Sequence, residues 1–280
     1  MSRPNGNALL ARGVQQLTQA GVPDAPRDAR RLLAHACGVE AGRLTLILPE
    51  PVTEDAEARF AALLMRRTAR EPVSHLVGTR LFYGRSFDVN RHVLDPRPET
   101  EILIEVALQE PFYSVLDLGT GSGCILLTLL AEMPTAQGIG TDISEDAVRV
   151  AEGNAANLDL TERSAFLCTS WADGIDALVD LIVSNPPYIA MSEMDGLSPE
   201  VREYEPHLAL TDFGDGLSAY RALTRQAAAL LRIDGRLIVE IGPAQGAAVS
   251  ELFRDAGLED VTIVADLDGR DRVVVGYLRP

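Results

Sequence analysis

Apolar positions change their period along this chain. Over residues 1 to about 72 they recur at helical spacing. Leu9, Leu10, Val14 and Leu17 fall three or four residues apart, and Gly21 with Pro23 ends the run. Ala29, Leu32, Leu33 and Ala36 predict a second helix. In the segment TEDAEARFAALLMRRTAREP, Phe60, Leu63 and Leu64 share a face, with Glu54 and Asp55 early and Arg66 and Arg67 late. That charge order complements a helix dipole, and Pro72 closes the segment. The module contains no catalytic constellation of its own.

The stretch HLVGTRLFYGRSFDVN, residues 75 to 90, is rich in aromatic and β-branched residues with Gly78 and Gly84 as breakers, and it predicts a β-hairpin. VLDPRPETE, residues 93 to 101, leads into a helix, with Thr100 as its expected cap. From residue 113 strands and helices alternate. Strands are expected at Ser114–Leu118, Gln137–Asp142, Ala165–Thr169, Asp180–Ser184, Arg236–Ile241, Val261–Ala265 and Arg272–Leu278. Helices are expected at Cys124–Glu132, Ala147–Asn157 and Ser218–Leu231. This alternation predicts an α/β fold with a doubly wound, mostly parallel seven-stranded sheet covered on both faces. The expected organisation is a helical bundle over 1–72, a hairpin linker over 73–95 and a catalytic domain over 96–280.

Bulk properties narrow the function. The 280 residues are 46% hydrophobic, enough for a substantial core, and the net charge is −16 with every basic side chain an arginine. An acidic balance argues against sequence-blind binding to nucleic-acid backbones. Cys37, Cys124 and Cys168 are scattered and form no CxxC pair, which suits a reducing compartment and gives no metal site. No segment has the apolar core of a signal peptide or the ~18 apolar residues of a membrane span. A cytoplasmic protein that contacts no membrane and no nucleic acid is expected, and a monomer.

Two motifs carry the chemistry. The first expected strand runs into VLDLGTGSGCILLTLL, where Gly119, Gly121 and Gly123 make a tight turn before a helix. The spacing G-x-G-x-G differs from the dinucleotide G-x-G-x-x-G. Asp117, just ahead of the glycines, would repel a pyrophosphate and favour a ligand bearing an ammonium and a sulfonium. Asp142, ending the next strand, is placed to hold ribose hydroxyls.

The second motif is LIVSNPPYIA, residues 181 to 190. Two prolines cannot continue a ladder, so the strand stops at Asn185. In a doubly wound sheet this strand lies beside the first, and ligands bind beyond the carboxyl ends of the strands. Asn185 Oδ1 and the Pro186 carbonyl are two acceptors suited to a planar –NH₂ group. Pro186 and Pro187 remove competing N–H donors, and Tyr188 can pack on a flat conjugated group. Such a nitrogen is a poor nucleophile because its lone pair is delocalised. Acceptors that hold its N–H bonds while positive charge develops stabilise the transition state more than the ground state. His35, His75, His92 and His207 are dispersed, and no histidine base is required.

With these residues in view, the chain resembles the class I S-adenosylmethionine-dependent methyltransferases and, within them, the release-factor glutamine N5-methyltransferases. The resemblance runs through PRPETE (96–101), DLGTGSG (117–123), TDIS (141–144), NPPYI (185–189), YEPHLAL (204–210), GDGL (214–217), EIGPAQ (240–245) and DLDGRDR (266–272). It implies a Rossmann-like methyltransferase domain behind a helical module that docks the substrate protein. It implies cofactor contacts from Asp117, Gly119, Thr120, Gly121, Ser122, Gly123, Asp142, Trp171 and Asn185, with Trp171 beside the adenine. It implies substrate binding by Asn185, Pro186, Pro187 and Tyr188, with Asn185, Pro186 and Tyr188 serving the chemical step and S-adenosyl-L-homocysteine as product. The implied substrate is the glutamine of the Gly-Gly-Gln motif in peptide chain release factors. Two positions depart from the pattern: Ser170, where an aspartate is common, and Asp95, where an aliphatic residue is usual. Arg97 and Glu99 either orient an incoming loop or form local ion pairs, whereas Glu240 and Asp271 read as packing and turn residues. Rival readings are a glutamine methyltransferase acting on a ribosomal protein, a DNA adenine-N6 or cytosine-N4 methyltransferase, and a release-factor binder without activity.

Overall fold

Leu116, Ile182 and Ile238 have no exposed surface and sit on adjacent strands of the central sheet, where apolar runs covered on both faces form the core. The computed structural model describes residues 3–280, so the first two residues of the expected 1–72 module lie outside the described residues. The strands are β1 (Thr79–Phe82), β2 (Arg85–Asp88), β3 (Ser114–Leu118), β4 (Gln137–Asp142), β5 (Ser164–Cys168), β6 (Val179–Ser184), β7 (Leu231–Glu240), β8 (Glu259–Ala265) and β9 (Asp271–Tyr277). β1 and β2 pair with each other, and the other seven form one sheet in the order β5-β4-β3-β6-β7-β9-β8. β3 to β7 run parallel, whereas β9 is antiparallel to both its neighbours.

The chain divides into two compact units. One comprises Met1–Thr79 with Ser198–Tyr204; the other comprises Arg80–Leu197 with Glu205–Pro280. In the helical unit, Gly6–Gln19, Ala25–Ala36 and Glu54–Thr68 bury Leu9, Leu17, Leu32, Leu33, Phe60 and Leu64 together. Asn5 and Thr53 cap the first and third of these helices by accepting from Ala8 N–H at 3.0 Å and Ala56 N–H at 3.2 Å. Arg67 joins the stretch Ser198–Tyr204 to the bundle. Its guanidinium, 7% exposed, donates to Asp28 Oδ2 at 2.7 Å and to Glu200 Oε1 at 3.0 Å. Arg70 reaches the second Glu200 oxygen at 2.8 Å.

In the sheet unit, the strand order reverses between β4 and β6 on either side of β3, which opens a crevice at the carboxyl ends of β3 and β6. Helix Cys124–Glu132 follows β3, and Glu145–Asn157 follows β4 with Ser144 as its cap, accepting from Ala147 N–H at 3.2 Å. Asn154 is fully buried and pins the glycine turn. Its Nδ2 donates to the Ser122 carbonyl at 2.9 Å, and its Oδ1 accepts Asp88 N–H at 2.7 Å.

The structure departs from the sequence reading at several element ends; strand β8 begins two residues earlier than expected, at Glu259, strand β9 is shifted one residue earlier, and the helix after β4 begins at Glu145. Residues 75–77 belong to a short helix, Val73–Val77, with Gly78 as its left-handed cap, so the hairpin begins only at Thr79. Strand β7 starts at Leu231 because that residue pairs with Val179, which shortens the preceding helix to Ser218–Leu230. Strand β5 is shifted one residue earlier than expected. Thr100 stands at the N-terminus of Glu101–Ala107 but its side chain makes no cap; its hydroxyl is committed elsewhere. Among the described residues no helix is long and apolar enough to cross a membrane.

Candidate active site

A cavity of about 500 Å³ lies at the carboxyl ends of β3, β4 and β6, within the range of small-molecule sites. Gly119, Thr120, Gly121, Ser122, Asp142, Trp171, Asn185 and Pro187 line it, together with Thr100, Arg97 and Ser170. The turn above β3 needs its glycines. Gly119 and Gly123 both have φ of +77°, a conformation that L side chains avoid, and a Cβ at Gly123 would approach Leu127 at 3.1 Å and Ala151 at 3.2 Å. Trp171 itself takes a left-handed φ of +49°, which sets its ring beside Gly119.

Asp142 is oriented by backbone. Its Oδ2 accepts Gly121 N–H and its Oδ1 accepts Ser144 N–H, both at 2.9 Å, which leaves further lone pairs on the cavity rim. Burial raises its pKa against those hydrogen bonds. Asp117 stands differently from the sequence expectation: it has no exposed surface and is not part of the cavity wall. Its Oδ2 accepts the Thr120 hydroxyl at 2.6 Å, while Oδ1 is buried without a partner. Burial lifts this carboxyl to about 7 even though the Thr120 hydroxyl favours the charged form. Asp117 therefore meets the cavity wall through Thr120, which lines it.

The residues of NPPY separate into two directions. Ser184 donates to the Leu118 carbonyl at 2.6 Å and closes β6 onto β3. Asn185 and Pro187 line the cavity, whereas Pro186 is buried and Tyr188 turns away from the wall. Asn185 Nδ2 donates to Thr100 Oγ1 at 3.2 Å, which leaves Oδ1 as the acceptor end of the amide. The Tyr188 ring packs with the core on one sheet face, and its hydroxyl lies 3.5 Å from Glu240 Oε1. The Tyr188 ring therefore does not line the cavity with Asn185, contrary to the stacking role expected from sequence; its position is fixed from the other side of the motif.

Several supporting residues escape a reading by motif. Gln245 donates to the Tyr188 carbonyl at 2.9 Å and to the Gly216 carbonyl at 3.2 Å, tying the motif to the loop that follows. Arg97 contacts both carboxylate oxygens of Glu205 at 2.6 and 2.7 Å, which resolves the Arg97 question toward an ion pair with a distant partner. Asp95 is buried and sits 3.5 Å from Arg80, so the unusual acid at the hairpin exit is neutralised. Glu240, expected to serve packing, is 1% exposed with a carboxyl lifted to about 7 by burial against the Thr100 hydroxyl and the Arg272 charge. A lone acid in the apolar run LIVEI was the available signal.

Comparison with known proteins gives concordant results. Residues 8–78 match the family model described as PrmC N-terminal domain, and residues 93–197 match the methyltransferase small domain. The chain is 57% identical to a release factor glutamine methyltransferase of Cereibacter sphaeroides, covering 96% of this chain and 97% of that protein. It is 45% identical to the protein of the same description from Caulobacter vibrioides, covering 95% and 93%. Among solved structures, a methyltransferase from Pyrococcus furiosus shares the fold with a TM-score of 0.55 at 14% identity, covering 79% of this chain and 98% of that one. The glycine turn over β3, the acid ending β4 and the NPPY strand end thus occur together in a chain that aligns over nearly its full length with those relatives, and the chain belongs to the release factor glutamine methyltransferase family.

Proposed function

We propose that this chain transfers a methyl group from S-adenosyl-L-methionine to the side-chain nitrogen N5 of the glutamine in the Gly-Gly-Gln motif of peptide chain release factors. One observation carries the reading. Asn185, tied through Nδ2 to Thr100, keeps an amide oxygen on a cavity that Gly119, Asp142 and Trp171 also line. The relatives' description supports the substrate class.

The residues present fit the methyl donor. Asp117, with an orphaned buried oxygen, and Asp142, on the cavity rim, are two acids whose charged forms burial disfavours and a cationic ligand in a cavity of this size would stabilise. When bound, S-adenosylmethionine supplies a methyl group on a positively charged sulfur. Asp142 would accept from ribose hydroxyls, Trp171 would lie beside the adenine, and the backbone of Gly119 through Gly123 would hold the remainder. Asn185 Oδ1 and the Pro186 carbonyl accept the two N–H bonds of the glutamine amide, and Pro187 and Tyr188 hold those acceptors rigid. As positive charge develops on that nitrogen, both acceptors bind it more strongly than they bind the ground state. The methylated nitrogen is acidic and its proton passes to solvent, so no side-chain base is needed. The helical unit docks the release factor, and the chain acts as a cytoplasmic monomer without contacting nucleic acid, consistent with a net charge of −16.

Incubation with labelled cofactor and a purified release factor tests the reading: peptide mass mapping is expected to place one methyl on the Gly-Gly-Gln glutamine and none on DNA. Asn185→Ala is expected to lower turnover by ~10²-fold or more, the scale of losing one preorganised polar partner of a transition state. Cofactor affinity should change little. Wild-type rates in that variant would remove Asn185 from the chemistry.

A further inference from the structure

Phe213 is held in a backbone conformation that its bulk opposes. Its φ is +58°, in the left-handed region, where a large side chain persists only if the surroundings over-determine it. Here they do. Phe213 N–H donates to Thr211 Oγ1 at 3.0 Å, and Asp212 fixes the residues beyond by accepting Gly214 N–H at 2.8 Å and Gly216 N–H at 3.0 Å. Two backbone hydrogen bonds, each 3.0 Å, tie this loop to the strip that continues NPPY. Ile189 N–H donates to the Leu210 carbonyl, and Met191 N–H donates to the Gly214 carbonyl.

The ring held this way does not serve the core. Phe213 is 56% exposed and yet lines the cavity, which places it at the mouth, on the side of the NPPY strip. Leu208, 60% exposed and also lining the cavity, stands at the mouth as well. A strained residue whose side chain buries little in the free protein points to a use outside the fold.

Any chain that delivers a side chain to Asn185 must carry its backbone across this mouth. In a Gly-Gly-Gln segment the two glycines have no Cβ, so a ring can lie directly against their flat peptide groups, and the glutamine stem adds two methylenes. We infer that Phe213, together with Leu208, is a specificity residue that packs on the Gly-Gly-Gln segment of the release factor as its glutamine enters. The inference rests on the substrate proposed above and deepens it.

The full-length protein, the cofactor and a purified release factor test it. Phe213→Ala removes the ring; Phe213→Gly removes it and also relieves the backbone. Both are expected to raise KM for the release factor by about 10-fold or more, the scale of burying one aromatic side chain. kcat should stay within about threefold of wild type, as when binding common to ground and transition state is lost, and the cofactor dissociation constant should not move. Phe213→Gly should also melt at a higher temperature than wild type, because glycine takes the left-handed conformation freely. Its raised KM then cannot come from a damaged loop. Wild-type KM in both variants overturns the inference. So does a raised cofactor dissociation constant, which would set the ring over the cofactor, and so does a Phe213→Gly protein that melts below wild type, which would make the ring a structural prop. Absence of methyl on the release factor with the unmutated protein defeats the substrate reading itself, whereas normal methylation with unchanged KM in the variants defeats only the role of Phe213.

Discussion

Asp117, Glu205 and Glu240 each hold a carboxyl proton to about 7, in every case because burial penalises the charge. Arg97 opposes the shift at Glu205. At Glu240 the Thr100 hydroxyl and Arg272 oppose it, while Glu99 adds to it. The folded protein retains these protons to higher pH than the unfolded chain does. Their contribution to stability is therefore complete below the ordinary carboxylate range of about 4 and is lost as pH rises through about 7. Asp215 works in the opposite sense: the Arg221 hydrogen bond lowers it to about 2, so its contribution is present above about 4 and fades only in strong acid. Without added cofactor, the melting temperature is expected to fall between pH 5 and pH 8, and Asp117→Asn should flatten that slope; a melting temperature that rises over the interval would contradict it. Asp142 and Asn185 are legible in the sequence because each ends an apolar strand, where an acid or amide has no packing reason to stand. Thr100 is not, since its hydrogen bond with Asn185, far away in the chain, leaves no local pattern.

At the scale of elements, the strand before the glycine turn and the helix after it are legible to the residue, because period, breakers and flanking polar positions agree there. The five-residue helix Val73–Val77 is too short to show a helical period, and its apolar residues blend into the hairpin that follows. The loop Asp212–Ser218 is organised by a single side chain. Asp212 accepts Gly214 N–H at 2.8 Å, Gly216 N–H at 3.0 Å and Ser218 N–H at 2.9 Å. Gly216 sits there with φ of +77°, and a Cβ would meet the Tyr188 carbonyl at 2.3 Å. Gly216→Ala must strain the loop or push Tyr188 aside. It is expected to cost about 1–3 kcal/mol of stability, the usual price of one forced backbone conformation. Turnover should fall further than that stability loss explains, which denaturant unfolding and single-turnover kinetics can check together.

At the scale of the molecule, the helical unit is held by charge as well as by its apolar core. Arg67 is buried between Asp28 and Glu200. Arg67→Ala would leave two carboxylates short of a partner, with Arg70 still on Glu200. A loss of about 3–5 kcal/mol is expected, the range for breaking a buried pair from one side. Equilibrium unfolding would show it, and a change below the scatter of surface substitutions would mean that the network contributes little. Nothing in the period of residues 198 to 204 assigns them to the helical unit; the pairing of Glu200 with arginines far upstream does so, together with the Tyr204 hydroxyl, which donates to the Ala69 carbonyl at 2.6 Å.

The backbone therefore passes between the two units three times, at 79/80, 197/198 and 204/205. Neither unit is a cassette. A chimera that exchanges only the leading segment with a homologue would set a foreign bundle against the native Glu200 and Tyr204, and a chain begun at residue 80 would orphan both. Any recombination that respects this architecture must carry the downstream strip along with the front of the gene.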